Sequence, residues 1–190
     1  IISKFEHYSP FEKAIKKYNV DIVYFLSPSS LALDLDSTNF ILRVWDIAHL
    51  DHPEFPEVRN FREFEARDNL YKRTLKKATA IVADSEIGKE NIINKYNIDK
   101  SRIYIRGLSI QSEFITNKFI FEASSLDVKK RFNIKSPYLF YPAQFWPHKN
   151  HIYILEGLKV LNYKYNINIS AVFTGSDKGN LSYIKDYARN

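Results

Sequence analysis

The residues best suited to chemistry are His148 and Lys149, a basic pair near the end of the stretch Tyr138–Asn150. Four bulky apolar residues in a row, Tyr138–Tyr141, predict a strand that is buried on both faces of a sheet. Asn150 is a good N-cap, and the apolar residues behind it recur at helical spacing, which predicts a helix. The basic pair is therefore expected in a loop between a strand and a helix.

A cation at this position is unfavourable on its own, because the start of a helix already carries about half a positive charge. A phosphate bound to the free N–H groups of the first turn, with the Lys149 ammonium beside it, would turn that cost into binding free energy. A solvated lysine beside a proline turn is the plainer alternative. The order of strand, loop and helix favours the phosphate.

A second group of polar side chains, Asp46, His49, Asp51 and His52, follows an earlier predicted strand. Carboxylates and imidazoles suit a divalent ion, but their spacing matches no familiar zinc signature, so no metal site is predicted. Ligands of open α/β sheets bind beyond the carboxyl ends of the strands. The candidates at such positions are Ser27, Asp46, His49, Ser85, Gly107, residues 144–149 and the loop from Gly175 to Lys178.

Strands alternate with helices, which predicts an α/β fold with doubly wound parallel sheets. The predicted strands are Asp21–Leu26, which is expected to be buried, Phe40–Trp45, Thr79–Asp84, Arg102–Arg106, Tyr138–Tyr141 and Asn168–Thr174. The predicted helices are Pro10–Asn19, Asn60–Ala78, a helix capped by Ser85 that ends near Asn97, Leu126–Phe132, one after Asn150 and one at the end of the chain.

The predicted helix Asn60–Ala78 has two distinct sides. Asn60 is its expected cap, and Phe61, Phe64, Tyr71 and Leu75 are expected to face inward. Its outward cations are Arg62, Arg67, Lys72, Arg73, Lys76 and Lys77, which suggests an accessory contact with an anionic surface.

Helical and strand periodicity fades between residues 108 and 124, which predicts a connection between two domains, residues 1–122 and 123–190. Two βα units are too few for a whole second domain, and methionine is absent, so we expect a piece of a longer reading frame. Cysteine is also absent, which excludes disulfides and thiolate chemistry. No run approaches the roughly 20 apolar residues of a membrane span, and together these features predict a cytoplasmic protein.

The segment Tyr141–His151, followed by a helix and by a strand that ends at Gly175, resembles the opening of the nucleotide-sugar-binding domain in GT-B glycosyltransferases of the retaining family 4. Val44–Val58 and Ala80–Glu86 resemble further parts of that family. The resemblance implies two Rossmann-like domains, the first for the acceptor and the second for the donor. It also implies transfer of a hexose with retention of configuration and without a cofactor or an essential metal.

By the same resemblance, Lys149 contacts the diphosphate of the donor. The other residues expected to bind the donor are Gln144, His148, Asn150 and Gly175. Gln144 lies where many members have an arginine, so a second cation for the phosphates is missing.

The resemblance makes Asp46 and His49 the catalytic candidates, with Trp45 in place of the histidine that often precedes this aspartate. Arg62 and Ser85 are candidates for binding the acceptor. An ion pair of Arg62 with Glu65 and an N-cap role for Ser85 are the structural alternatives.

The implied reaction moves a sugar from a nucleotide diphosphate-sugar to a saccharide or lipid-linked acceptor, in bacterial surface polysaccharide or lipopolysaccharide synthesis. Weak peripheral contact with the inner face of the cell membrane is expected, and nucleic acid is not. The chain lacks the later Glu-x7-Glu segment with which this family holds the sugar, so on its own it is expected to be inactive.

Two other functions follow from composition. The net charge of +6 keeps open a non-catalytic basic α/β module that binds an anionic surface or nucleic acid. A Rossmann oxidoreductase would need a glycine-rich first turn, and none of the five glycines has that spacing.

Overall fold

A computed structural model describes residues 8–107, 128–134 and 137–189. These residues form two compact units, residues 8–54 with 58–107 and residues 55–57 with 128–134 and 137–189. The predicted boundary between residues 122 and 123, and the predicted connection 108–124, lie outside the described residues.

The first unit is built on a parallel sheet of four strands in the order β1-β2-β3-β4. The strands are β1 (Ile22–Phe25), β2 (Asn39–Val44), β3 (Ala80–Ala83) and β4 (Ile103–Ile105). The helices are α1 (Pro10–Lys17), α3 (Glu63–Lys77) and α4 (Glu86–Tyr96), and the residues of α2 (Pro56–Arg59) are divided between the two units. Single 3-10 turns occupy Ser30–Asp34, Ala48–Leu50, Asn60–Arg62 and Lys100–Arg102.

One face of this sheet carries the core. Phe40, Leu42 and Val44 alternate along β2 toward that face and pack with Tyr71 and Leu75 of α3, all of them buried. This is the alternation that a pleated strand imposes. The helix after β2 therefore lies against the sheet by its apolar stripe.

The second unit pairs β5 (Tyr138–Pro142) with β6 (Ser170–Thr174) in parallel. Its helices are α5 (Val128–Arg131), α6 (His151–Tyr165) and α7 (Leu181–Arg189). The α/β fold class with parallel sheets is thus confirmed in both units. Asn150 caps α6 through its side chain, and Ser85 caps α4 in the same way, as predicted.

Two predictions of burial are wrong. Leu139 and Phe140 of β5 are exposed, and in β1 only Phe25 is buried. A run of apolar residues reports hydrophobicity, whereas burial needs a second layer on each face. Among the described elements, that second layer is missing over both strands.

The start of α3 also differs from its prediction. Phe61 and Arg62 both have positive φ, at 57° and 63°, so the helix begins at Glu63 and Asn60 is not its cap. Phe61 was expected to face inward and is instead 99% exposed. Two consecutive residues in the left-handed conformation turn the Phe61 side chain away from the direction that a continuous helix would give it. The spacing of apolar residues in the sequence does not reveal such a conformation.

The carboxylate of Glu12 on α1 is fully buried and clamps the loop before β2. It accepts hydrogen bonds from the backbone N–H groups of Asp36 at 3.0 Å, Ser37 at 2.8 Å and Thr38 at 2.8 Å, and from the Ser37 hydroxyl at 3.0 Å. Burial alone would raise its pKa, but these donors prevail and lower the pKa from 4.5 to about 2.

The hydrogen bonds to the Glu12 carboxylate predict how the stability of the fold depends on pH. Because the pKa of Glu12 is lower in the folded state, its contribution of about 2 to 3 kcal/mol is present above pH 4.5 and is lost as pH falls toward 2. Glu12→Gln should lower the free energy of unfolding at pH 7, since an amide N–H₂ would face backbone donors, and should reduce the difference between pH 7 and pH 3. Urea denaturation at both pH values measures this. An equal effect of Glu90→Gln, at an exposed position on α4, would contradict the assignment.

Gly175, directly after β6, allows a close approach in the second unit. A Cβ at this position would lie 2.3 Å from the carbonyl oxygen of Ala143, and φ is +157°. The Phe145 N–H donates to the Ser176 carbonyl at 3.0 Å, so the loops after β5 and β6 are joined by their backbones. This close backbone contact is a sufficient reason for a glycine at position 175, without a bound ligand.

Gly175→Ala should lower the free energy of unfolding by about 1 to 3 kcal/mol, because a backbone carbonyl must move to admit the methyl group. The matched control is Gly157→Ala, inside α6 with nothing within 4 Å of the added Cβ. That substitution should stabilise the chain by roughly 0.5 to 1 kcal/mol. Urea unfolding of both variants gives the comparison, and a neutral Gly175→Ala would show that the loops are not held together there.

Candidate functional site

Asp46 is the second residue after β2 and is held at three points. Its Oδ1 accepts from the backbone N–H of Ala48 at 3.0 Å and from the Arg67 guanidinium at 2.9 Å. Its carbonyl oxygen accepts from the Tyr71 hydroxyl at 3.2 Å. The carboxylate is still half exposed, with 51% of its side-chain surface open, so it can reach a ligand while its position is fixed.

His49 lies beneath Asp46 and is fully buried. The Tyr96 hydroxyl donates to Asp68 at 3.3 Å and lies within hydrogen-bond distance of Nε2 of His49, at 3.2 Å. The rings of Phe64 and Tyr71 each lie 5.7 Å from the imidazole. In this structure the His49 ring cannot contact a substrate.

The charges of this cluster follow from burial. Desolvation, aided by the positive charge of Arg67, lowers the pKa of His49, so its imidazole is neutral. Burial also raises the pKa of Tyr71 to about 12 and raises that of Tyr96. A neutral imidazole between protonated tyrosines supports the Asp46 loop from below. A catalytic role for His49 stays a prediction, and it would have to act through Asp46.

Two cavities open at the carboxyl edge of the first sheet, and Trp45 lines both. The smaller, about 210 Å³, includes Asp46 and Ser85, so the structure brings these two candidates together. The larger, about 630 Å³, runs from the end of β1 to the first turns of α3. Arg62 lines neither of these two cavities. Its φ is positive, so Arg62 and Glu65 do not have the helical i, i+3 spacing on which the predicted ion pair depends.

The carboxyl ends of β2, β3 and β4 are tied together by an ion pair. Arg43 donates to Asp84 through Nε at 2.9 Å and also through its terminal nitrogen, which reaches the Arg106 carbonyl at 3.0 Å. Both charged side chains are largely buried. The edge that carries Asp46 and Ser85 is therefore a rigid platform.

No three side chains of the types that hold metals come together in the part of the chain that the structure describes. Asp51 instead pairs with Lys95 at 3.0 Å, and the His52 ring lies 3.4 Å from Glu54. The predicted lack of a metal remains a prediction for experiment.

In the second unit, Lys149 lies in a 3-10 turn, Pro147–Lys149, that leads into α6. The turn is fixed by its backbone: the Tyr141 hydroxyl donates to the Lys149 carbonyl at 3.0 Å, and the Lys149 N–H donates to the Trp146 carbonyl at 3.1 Å. The Lys149 ammonium is exposed, and no carboxylate among the described residues forms an ion pair with it. Asn150 follows with φ 47° and caps the helix.

The remaining donor candidates lie around this turn. The indole N–H of Trp146 donates to the amide oxygen of Gln144 at 2.9 Å, which leaves the Gln144 amide nitrogen as a donor. His148 contacts the carboxylate of Glu57 through Nδ1, and both residues belong to the second unit. A phosphate would compete with Glu57 for that imidazole, so Lys149 is the better candidate. Their roles as donor ligands stay predictions.

His151, the first residue of α6, anchors the turn from inside. It is fully buried among three rings, stacked on Phe145 at 4.8 Å and edge-on to Tyr141 and Phe173 at 5.1 Å each. Burial lowers its pKa, and the Ala143 carbonyl offsets this only in part. The neutral imidazole packs as an aromatic ring and fixes the start of α6.

Sequence reasoning missed Arg67 as part of the site. Arg67, Tyr71 and Leu75 are spaced by four residues, so Arg67 belongs to the inward stripe of α3 rather than to its solvent side. A cation at the end of a buried stripe indicates a carboxylate partner, which is Asp46. That spacing was the available signal.

Comparison with known proteins bears on the fold. No family model matches the chain, and no curated protein matches it. A solved glycosyltransferase from Rickettsia africae is similar, with a TM-score of 0.58 and 18% sequence identity over 94% of this chain and 44% of that protein. A solved UDP-N-acetylglucosamine 2-epimerase from Rickettsia bellii has a TM-score of 0.48 and 12% identity, with the same coverage, and is too distant to support an inference.

The chain thus spans less than half the length of that glycosyltransferase. In the described residues no helix is long and apolar enough to cross a membrane. The similarity shows that the chain has an α/β fold with parallel sheets, the fold of the corresponding part of that solved protein.

Proposed function

We propose that this chain belongs to a hexosyltransferase that moves a sugar from a nucleotide diphosphate-sugar to a saccharide or lipid-linked acceptor, as in the retaining GT-B family 4 that its sequence resembles. The observation that carries the proposal is the exposed Lys149 ammonium at the start of α6, with no carboxylate partner among the described residues. The fold, which is that of a solved glycosyltransferase, supports it.

In this proposal the diphosphate lies on the first turn of α6. Cleavage of the bond between sugar and phosphate leaves negative charge on the diphosphate, which the Lys149 ammonium and the helix N-terminus stabilise. The Gln144 amide adds a neutral donor. Because this charge stabilisation comes from the protein, we propose that the reaction needs no metal. Retention of configuration is proposed from the resemblance to family 4.

The acceptor side of the proposal is the carboxyl edge of the first sheet. Asp46 is the group held there at a fixed position with an open carboxylate, and it pairs directly with the guanidinium of Arg67. Ser85 lies beside the same cavity, but its hydroxyl already accepts from the Gly88 N–H at 3.1 Å. Asp46 is therefore the stronger candidate for contact with the reacting groups.

The donor site can be tested by binding of UDP, GDP and ADP to the 190-residue chain, followed by calorimetry. Lys149→Ala should weaken the best of these ligands by roughly 10- to 150-fold, since a hydrogen bond to a charged group contributes about 1.5 to 3 kcal/mol. Pyrophosphate serves as a probe without a base and should lose affinity in parallel.

The matched control is Lys164→Ala, an exposed lysine in the last turn of the same helix. It should leave nucleotide affinity unchanged. If both variants bind the nucleotide as the unaltered chain does, Lys149 does not contact the phosphates and the proposal loses its main support.

A lipid-linked acceptor would also bring the protein to the inner face of the cell membrane, and one observation favours such a contact. Phe61 is 99% exposed beside Arg59 and Arg62 at the turn before α3. Cations near an anionic surface contribute up to about 1 kcal/mol each. The acidic residues Glu63 and Glu65 in the first turn of α3 offset part of this attraction.

We expect the chain to sediment with vesicles that contain acidic lipid, and to be released as salt screens the charges. Phe61→Ala should reduce the bound fraction, whereas Tyr163→Ala, an exposed aromatic on α6, should not. Failure to bind acidic vesicles at low salt would remove the membrane from the proposed function without touching the nucleotide site.

A further inference from the structure

The larger cavity at the edge of the first sheet has the size and lining of a small-molecule site. Its volume of about 630 Å³ lies within the range of roughly 300 to 1,000 Å³ that is usual for ligand pockets. Its wall combines an indole and an aliphatic side chain with hydroxyl, carboxylate and guanidinium groups. These belong to Ser27, Ser30, Leu33, Trp45, Glu63 and Arg67.

Trp45 is the large aromatic surface of this cavity. It comes directly after β2 and is 55% exposed, so its indole is open to a ligand. The strand on one side and the triply held Asp46 on the other fix its backbone. A rigid, open indole offers a flat face with negative electrostatic character, against which weakly positive C–H groups pack favourably.

The charge of the cavity argues against an anionic ligand. Arg67 is the one cation among the lining residues, and its guanidinium is already bound to the Asp46 carboxylate at 2.9 Å. Glu63 adds a negative charge to the wall. A phosphate entering here would meet the Glu63 carboxylate and a cation that is already paired, whereas hydroxyl groups could donate to Glu63 and accept from serine hydroxyls.

We propose that this cavity binds a neutral hexose unit of the acceptor, with one C–H face of the pyranose ring against the indole of Trp45 and its hydroxyls on Glu63 and Ser27. That the hexose belongs to an acceptor rests on the proposed function, but saccharide binding itself can be measured without transfer. The proposal makes Trp45 the residue that selects a neutral saccharide, and it places the recognition of any acceptor phosphate outside this cavity.

Fluorescence can report on the site, because the sequence has two tryptophans, Trp45 and Trp146. In the Trp146→Phe chain, emission comes from Trp45 alone. Methyl β-D-glucopyranoside, whose ring presents apolar C–H faces, should change this emission in a saturable way. In the Trp45→Phe chain, the emission of Trp146 should stay constant during the same titration.

Affinity for the glucoside, followed by ligand-observed NMR, should fall about tenfold in Trp45→Leu and by less in Trp45→Phe, which keeps a ring. Circular dichroism with an unchanged melting temperature will show that the variants are folded. If Trp45→Leu has a lower melting temperature, the affinities of the unaltered chain and of Trp45→Phe for the glucoside are compared instead. Equal affinities of these two would mean that the ring only fills space.

Glucose 6-phosphate is the second probe, and it should bind more weakly than the neutral glucoside. Tighter binding of the phosphate through the Trp45 signal, with loss at high salt, would overturn the neutral-ligand assignment, and so would an absence of any saturable change with the glucoside. The nucleotide test at Lys149 is independent of these results. Its success together with failure here would reject this inference and leave the proposed function standing.

Discussion

The packing of α3 against the first sheet is the constraint on which the site around Asp46 depends. Tyr71 and Leu75 are completely buried, so the helix cannot rotate without opening the core. Arg67 lies one turn before Tyr71 on the same stripe, where the sheet ends, and therefore meets Asp46. The position of the candidate catalytic carboxylate is thus set by apolar burial two turns away, and the Tyr71 hydroxyl, bound to the Asp46 carbonyl, makes that link direct.

In the second unit, different contacts fix the position of the candidate site residue. His151 is buried as a neutral ring among aromatic side chains, and Gly175 lets the loop after β6 lie against the backbone of Ala143. Both contacts fix the turn before α6 from the inside. Within the described ranges, the Lys149 ammonium forms no ion pair and lies at the helix start. Its position follows from the packing beneath the turn.

Much of the fold could be read from the sequence, because strands such as β2 and β3 are short apolar runs and caps such as Ser85 and Asn150 have local chemistry. The failures share a physical cause. The positive φ of Phe61 depends on how α2 and α3 are joined, and the burial of His49 depends on rings far along the chain. Spacing identified the polar residues near Asp46 but could not tell a ligand from a support.

The net charge illustrates the same limit for function. The value of +6 suggests an anionic partner, yet the individual cations are not equally available to bind one. On α3, Lys72 pairs with Asp68 at 2.6 Å and Lys77 with Asp36 at 3.1 Å, so part of the basic surface is already neutralised. Arg67 is likewise paired with Asp46, so the residues that line the larger cavity include no unpaired cation. Lys149 has no such partner among the described residues. Which anion a chain can bind is decided by the individual cations that folding leaves unpaired, and the sum of charges does not identify them.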